Sequence, residues 1–193
     1  VIDARNYEGD INDEEAFYLR ELNLDVTSQT FYFEGGLVSL VKFNNQIMKP
    51  VHKNIFYVEK KAEGVESVEV ALQYADDISS RILPFANNIY NSEGGMHITG
   101  FKTALTRTLN TYGRKSNLIK ESEDNFTGDD VLEGLTAVIS VKLREIQFEG
   151  QTKSKLGSVE ARGAVDTVFS EAFEAFLEEH PDDAKAIIYK VVL

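Results

Sequence analysis

Residues 67–74 read Ser67-Val68-Glu69-Val70-Ala71-Leu72-Gln73-Tyr74, and they predict the strand from which the fold is built. Apolar residues alternate here with mainly polar ones. The apolar positions are Val68, Val70, Leu72 and Tyr74. Such alternation buries one face of a sheet. Residues 55–59 and 80–85 predict two further strands, so we expect an antiparallel meander.

Helices are predicted on both sides of these strands. A short aromatic strand, Phe31-Tyr32-Phe33, closes at Gly35-Gly36. The apolar residues that follow recur at helical spacing and predict a helix that ends before Pro50. A longer apolar stripe after Gly94-Gly95 predicts a half-buried helix. This stripe consists of Ile98, Phe101, Leu105, Leu109 and Tyr112.

The second half of the chain continues with one strand and two helices. Thr127 and Asp130 have the spacing of a helix-start cap, and the β-branched residues 135–142 predict a strand. A helix follows over residues 158–179, and Pro181 starts another. The apolar face of this last helix consists of Ala184, Ile187, Ile188, Val191 and Val192. The stripe is still running at the last residue, as expected of a truncated chain. This order of elements predicts a two-layer α/β sandwich.

Composition restricts the functional classes. The chain has 193 residues, of which 42% are hydrophobic and 27% charged, which favours one domain with an attachment. No apolar run approaches the ~20 residues that span a bilayer, and no export leader is recognisable. The absence of cysteine fits a cytoplasmic protein. A net charge of −12 argues against a free-standing nucleic-acid binder.

Metal and catalytic motifs are not recognisable. His52, His97 and His180 are scattered along the chain, and no cysteine is available as a ligand. The acidic residues 121–125 lack the spacing of a calcium loop. We therefore predict no metal site.

One glycine turn, one lysine-containing loop and one basic face remain as candidates. Gly94-Gly95 precedes a helix and could cradle a phosphate, but a tight turn is favoured, with His97 as a cap or packing residue. Residues 151–156 read Gln151-Thr152-Lys153-Ser154-Lys155-Leu156. Alone, this loop is most simply a solvated turn, although lysine suits a phosphate. Lys102 and Arg107 share the polar face of the predicted helix.

Three segments, residues 93–97, 127–135 and 148–153, together resemble the transducer domain of the B subunit of bacterial DNA gyrase. The resemblance runs from roughly Tyr32 to Leu193. It implies an α/β (α+β) two-layer sandwich of about four strands with a left-handed βαβ crossover, a ribosomal-protein-like fold. It also implies an N-terminal attachment at 1–30, a transducer domain at 31–180 and the start of a C-terminal coupling helix at 181–193.

The resemblance implies that Gln151 and Lys153 contact the γ-phosphate of ATP, with Lys153 as the catalytic residue. The ATP pocket itself then lies in a separate N-terminal ATPase domain, and Mg²⁺ is used by the whole enzyme. Residues 100–110 match the family pattern, which implies that Lys102 and Arg107 face DNA. Implied partners are the ATPase and cleavage domains of the same polypeptide, the gyrase A subunit and a DNA duplex, within a dimer.

The sequence allows alternatives for the N-terminal residues and for the type of protein. Residues 1–30 match the family poorly, although Leu19-Arg20-Glu21-Leu22 resembles the end of the ATPase domain. A deletion, missing residues closed up in the numbering, or divergence would each explain this. The transducer of the corresponding topoisomerase IV subunit and a non-catalytic nucleic-acid-binding module of the same fold are alternatives. In all cases we expect this chain alone to be inactive.

Overall fold

The computed structural model describes residues 3–4, 26–28 and 35–192. The chain divides into two compact units, Val1–Glu34 and Gly35–Leu193. In the first unit, strand β1 (Asp3–Ala4) pairs antiparallel with β2 (Val26–Ser28). The predicted strand at residues 31–33 and the segment 19–22 lie outside the described residues.

The second unit is built on a five-stranded mixed sheet. Its elements are α1 (Gly36–Asn44), β3 (Phe56–Ala62), β4 (Val65–Tyr74), β5 (Arg81–Ala86), β6 (Ile89–Tyr90), α2 (Met96–Lys115), a 3₁₀ turn (Asp130–Leu132), β7 (Leu135–Lys142), α3 (Glu160–Glu179) and α4 (Pro181–Val192). The strand order is β3-β4-β7-β5-β6. The mixed α/β class is confirmed, with five strands in place of about four.

The predicted meander is wrong at its third strand. β4 pairs antiparallel with β3 on one side and with β7 on the other. β5 lies beyond β7 and pairs with it in parallel. The connection from Tyr74 to Arg81 is not a hairpin turn, because β7 lies between the two strands that it joins. Within this connection the Asp77 carboxylate accepts hydrogen bonds from Ile78 N–H (2.8 Å) and the Ser79 hydroxyl (2.7 Å). Helix α2 therefore lies within a crossover between parallel strands, whose left-handedness stays a prediction.

The main core lies between the sheet and helices α2 and α3. The alternating residues of β4 all point into it, as the sequence predicted. Phe56 of β3 meets Phe169 and Phe173 of α3 edge to face, with ring centroids 5.4 and 5.1 Å apart. Such aromatic pairs add roughly 0.5–1.5 kcal/mol beyond the area that they bury.

Helix α1 covers part of the opposite sheet face. Val41 of this helix packs with Ala71 of β4 and Val138 of β7, and all three are fully buried. The sandwich thus carries a partial third layer.

Helices α2 and α3 approach each other closely at Gly100. A Cβ at this position would lie 2.3 Å from the carbonyl oxygen of Arg162, so the contact requires glycine. The backbones of α2 and α3 are therefore in contact at this crossing.

Helix α4 is fixed to the domain at both ends. The Asp183 carboxylate accepts hydrogen bonds from Lys53 N–H (3.1 Å), Asn54 N–H (3.1 Å) and the Asn54 side chain (2.8 Å). Near the other end, the Lys190 ammonium lies 2.9 Å from Glu133. The predicted apolar face is buried except for Val192, which is 54% exposed. No helix among the described residues is long and apolar enough to cross a membrane.

Candidate functional site

The lysine-containing loop between β7 and α3 is held on the glycine turn that starts α2. Leu156, which is fully buried, donates its N–H to the Gly94 carbonyl (3.0 Å) and accepts a hydrogen bond from Met96 N–H (3.0 Å). It also bridges to Phe148 at the other side of the loop. The loop and the N-terminus of α2 are therefore joined by main-chain hydrogen bonds.

Gly95 makes this close approach possible. Its φ is +133°, and a Cβ would lie 2.3 Å from the Leu156 carbonyl oxygen. The amide of Met96 is already taken by Leu156, which favours the predicted tight turn over a phosphate cradle. The pair Gly94-Gly95 thus allows the lysine-containing loop to pack against the start of α2.

Lys153 is at the tip of this loop, in an unusual backbone conformation. Its φ is +56°, in the left-handed region that side-chain-bearing residues rarely adopt. Its carbonyl accepts a hydrogen bond from the Asn91 side chain (2.8 Å). The next residue, Ser154, is bound through its carbonyl to Glu93 N–H (2.9 Å) and through its hydroxyl to the Glu93 carboxylate (2.8 Å).

The side chains of Gln151 and Lys153 are exposed. Among the described residues, no acidic group pairs with the Lys153 ammonium and no side chain bonds to the Gln151 amide. A fixed backbone that carries a solvated ammonium is suited to an anionic ligand that arrives from outside the domain.

Lys155 differs from Lys153 in its electrostatics. Its ammonium lies 2.8 Å from the Glu149 carboxylate, and this hydrogen bond raises the pKa of Lys155. The charge of Lys155 is therefore partly neutralised within the loop itself.

The predicted DNA-facing residues both lie on the exposed face of α2, but they differ in their surroundings. The Arg107 guanidinium forms two hydrogen bonds to the Asp166 carboxylate of α3, at 2.7 and 3.1 Å. This contact raises the pKa of Arg107. Lys102 has no acidic partner among the described residues. Lys102 is therefore the freer cation of the two.

The histidines form no site. His97 is fully buried, and neither ring nitrogen has a partner among the described residues. Burial lowers the pKa of His97 to about 4. His97 is thus a neutral packing residue and forms no cap. No group of three or more potential metal ligands occurs in the described ranges.

Several contacts of the site were missed in the sequence. Asn91, Glu93 and Asp166 act on residues roughly 60 positions away, and no local pattern marks them. The one usable signal was the polar run Asn91-Ser92-Glu93 directly before the glycine pair.

Comparisons with known proteins agree with this fold. The 43K ATPase domain of Thermus thermophilus gyrase B, in complex with an aminocoumarin, superposes with a TM-score of 0.77 at 38% identity. The match covers 86% of this chain and 44% of that one. The gyrase B protein of Myxococcus xanthus gives a TM-score of 0.68 at 25% identity, over 83% of this chain and 50% of that one. The fold is thus one that occurs in the ATPase subunits of type II topoisomerases.

Sequence similarity narrows the class to one family. The family described as DNA gyrase B matches residues 36–193. The gyrase B protein of Bacillus mycoides is 48% identical over 184 residues, which is 92% of this chain and 45% of the relative. The gyrase B protein of Clostridium acetobutylicum is 46% identical over 186 residues, 93% of this chain and 29% of the relative. The chain belongs to the DNA gyrase B family.

The chain spans less than half the length of these curated relatives. The ATP-binding domain of Francisella tularensis topoisomerase IV superposes with a TM-score of 0.68 at 21% identity, which shows a shared fold alone.

Proposed function

We propose that this chain is the transducer part of an ATP-dependent type II DNA topoisomerase of the gyrase type. In this proposal Gln151 and Lys153 contact the γ-phosphate of ATP, and the domain couples hydrolysis to DNA strand passage. One observation carries the proposal. Lys153 presents an exposed ammonium without an acidic partner among the described residues, on a loop whose backbone is bonded to the start of α2.

The γ-phosphate supplies a signal with two states. It is attached to the nucleotide only before hydrolysis, so a lysine that binds it favours one orientation of the domain. A hydrogen bond between charged groups contributes roughly 1.5–3 kcal/mol. A differential contact of that size changes a two-state equilibrium by about ten- to a hundredfold.

In the proposal, helix α2 connects this loop to DNA. The hydrogen bonds of Leu156 join the loop to Gly94 and Met96 at the start of α2. The same helix carries Lys102 and Arg107 on its exposed face. In the proposal, a displacement of the loop by nucleotide moves α2 as a rigid rod and repositions these cations on a DNA duplex.

In the proposal, the other functions of the enzyme belong to other domains and subunits. ATP is held mainly by a separate N-terminal ATPase domain of the same polypeptide, with Mg²⁺ used by the whole enzyme. A cleavage domain, the gyrase A subunit and a second copy of the gyrase B protein complete a cytoplasmic dimer. Helix α4 leads toward the cleavage domain. The present chain alone is then inactive.

The test is Lys153→Ala in a complete gyrase B protein that carries this chain. We expect ATP turnover and strand passage to fall strongly, because the mutant lacks the ammonium that meets the developing charge. ADP affinity should barely change, since ADP has no γ-phosphate. Thermal stability should also stay within about 0.5 kcal/mol, as for other exposed positions.

Lys155→Ala is the matched control, because it removes a lysine from the same loop whose charge is already paired with Glu149. Its effect on ATP turnover should be small. Normal turnover by a folded Lys153→Ala enzyme, or equal losses in both variants, would contradict the proposed role of Lys153.

A further inference from the structure

Asn91 is a buried side chain that holds the backbone of Lys153. It is fully buried at the end of the β5–β6 hairpin, 62 positions before Lys153. Its amide nitrogen donates to the Lys153 carbonyl at 2.8 Å. Because a carbonyl oxygen can only accept, this bond fixes which way the amide of Asn91 faces.

The other end of the same amide has no partner among the described residues. The Oδ1 atom of Asn91 is buried without a hydrogen bond. A buried acceptor left unpaired costs free energy, so an asparagine is an unfavourable choice for stability alone. What asparagine contributes at this position is the hydrogen bond that its nitrogen donates to the Lys153 carbonyl.

That bond acts on a strained residue. Lys153 has a φ of +56°. A residue with a side chain in this region costs roughly 1–3 kcal/mol and persists only where its surroundings hold it. The direction in which the side chain leaves the loop depends on this φ, so whatever fixes the backbone also aims the ammonium.

The backbone of Asn91 is itself anchored. Its N–H donates to the Pro84 carbonyl of β5 (2.9 Å), and its carbonyl accepts from Gly94 N–H (2.8 Å). The side chain of Asn91 therefore links the backbone of Lys153 to strand β5 of the central sheet. The neighbouring contacts between Glu93 and Ser154 also hold the loop, but the hydrogen bond between their side chains is exposed.

We infer that Asn91 is a positioning residue for Lys153, which it fixes in the left-handed conformation needed to direct the ammonium at the γ-phosphate. This inference rests on the proposed nucleotide-sensing function. Asn91 touches neither nucleotide nor DNA in this scheme and acts only through Lys153.

The experiment measures ATP turnover by complete gyrase B proteins that carry Asn91→Ala, Lys153→Ala or both changes. Misplacement of a catalytic group by about 1 Å can cost a hundredfold, so we expect Asn91→Ala to lower kcat roughly ten- to a hundredfold. The double variant should be no slower than Lys153→Ala, because Asn91 has nothing left to position. ADP affinity should be unchanged in all three.

Asn87→Ala is the matched control. This asparagine lies in the same hairpin, and its side chain also donates to a distant carbonyl, that of Leu143 (2.9 Å). Asn87→Ala should lower the thermal stability. It should leave the ATP turnover of the folded enzyme within about twofold, because the side chain of Asn87 does not hold the Lys153 loop at the reacting centre. If Asn91→Ala does not fold, Asn91→Leu serves instead, because leucine is similar in size to asparagine and cannot donate a hydrogen bond.

The outcomes separate the two ideas. If Lys153→Ala is slow while Asn91→Ala resembles Asn87→Ala, the positioning role is wrong and the proposed function stands. If Asn91→Ala further slows the Lys153→Ala enzyme, Asn91 acts by another route and the inference fails. If Lys153→Ala turns ATP over normally, the proposed function and the inference both fail.

Discussion

Gly95→Ala should detach the lysine loop from helix α2. Gly95 has φ +133° and ψ −161°, a region that is essentially restricted to glycine. An alanine there costs roughly 1–3 kcal/mol in backbone strain. Its Cβ would also lie 2.3 Å from the carbonyl oxygen and 2.5 Å from the nitrogen of Leu156. Both atoms are main chain, so the loop has to move as a whole.

The movement breaks the hydrogen bonds from Leu156 N–H to Gly94 and from Met96 N–H to Leu156, each 3.0 Å long. Two such bonds are worth about 1 kcal/mol each. With the strain, the expected loss in the free energy of unfolding is about 3–5 kcal/mol. Urea unfolding of the chain, followed by circular dichroism, measures this loss.

Gly163→Ala is the control for this experiment. Gly163 lies inside α3, and a Cβ there would meet nothing within 4 Å. Alanine should therefore stabilise the chain by about 0.4–1 kcal/mol. A Gly95→Ala chain as stable as the parent would refute the argument that the loop is seated on this glycine.

Two further predictions concern pH and DNA. Burial lowers the pKa of His97 from its ordinary value of 6.5 to about 4. Between these two pH values His97 is protonated in the unfolded chain and neutral in the folded chain. Stability should fall as the pH drops through this window, and His97→Leu should make the fall shallower in urea titrations at pH 7, 5.5 and 4.5. An unchanged slope would show that His97 does not titrate in this way. Replacing Lys102 and Arg107 by Gln in the complete gyrase B protein should reduce DNA-stimulated ATPase and its salt dependence while basal ATPase is kept. Lys102→Gln should contribute more, because Arg107 is already bonded to a carboxylate; unchanged DNA stimulation would show that this face is merely solvated.

Local patterns in the sequence predicted most of the elements. The alternation around Val70 and the stripe through Phe101 depend only on neighbours along the chain, and both segments bury the predicted faces. The strand predicted over residues 135–142 has those bounds in the structure. Thr127 and Asp130 form the reciprocal hydrogen bonds expected from their spacing, but the element that follows is a 3₁₀ turn whose N-cap residue is Asp129.

The features that were missed depend on long-range contacts. β5 pairs with β7 because β7 lies between β4 and β5 in the sheet, and alternation within β5 carries no information about which strand is its neighbour. The two-residue strand β6 is too short to produce a pattern. The pairing of Arg107 with Asp166 and the bond from Asn91 to Lys153 join distant segments, so only the folded chain reveals them.

A structure of the complete gyrase B protein with a non-hydrolysable β,γ-imido analogue of ATP would test the claim that Lys153 binds the γ-phosphate. We expect the Lys153 ammonium to lie about 2.7–2.9 Å from an oxygen of the γ-phosphate. The loop should keep its hydrogen bonds to Gly94 and Met96 in that state. A nucleotide-bound, closed protein in which the Lys153 ammonium remains in solvent, away from the γ-phosphate, would contradict the claim.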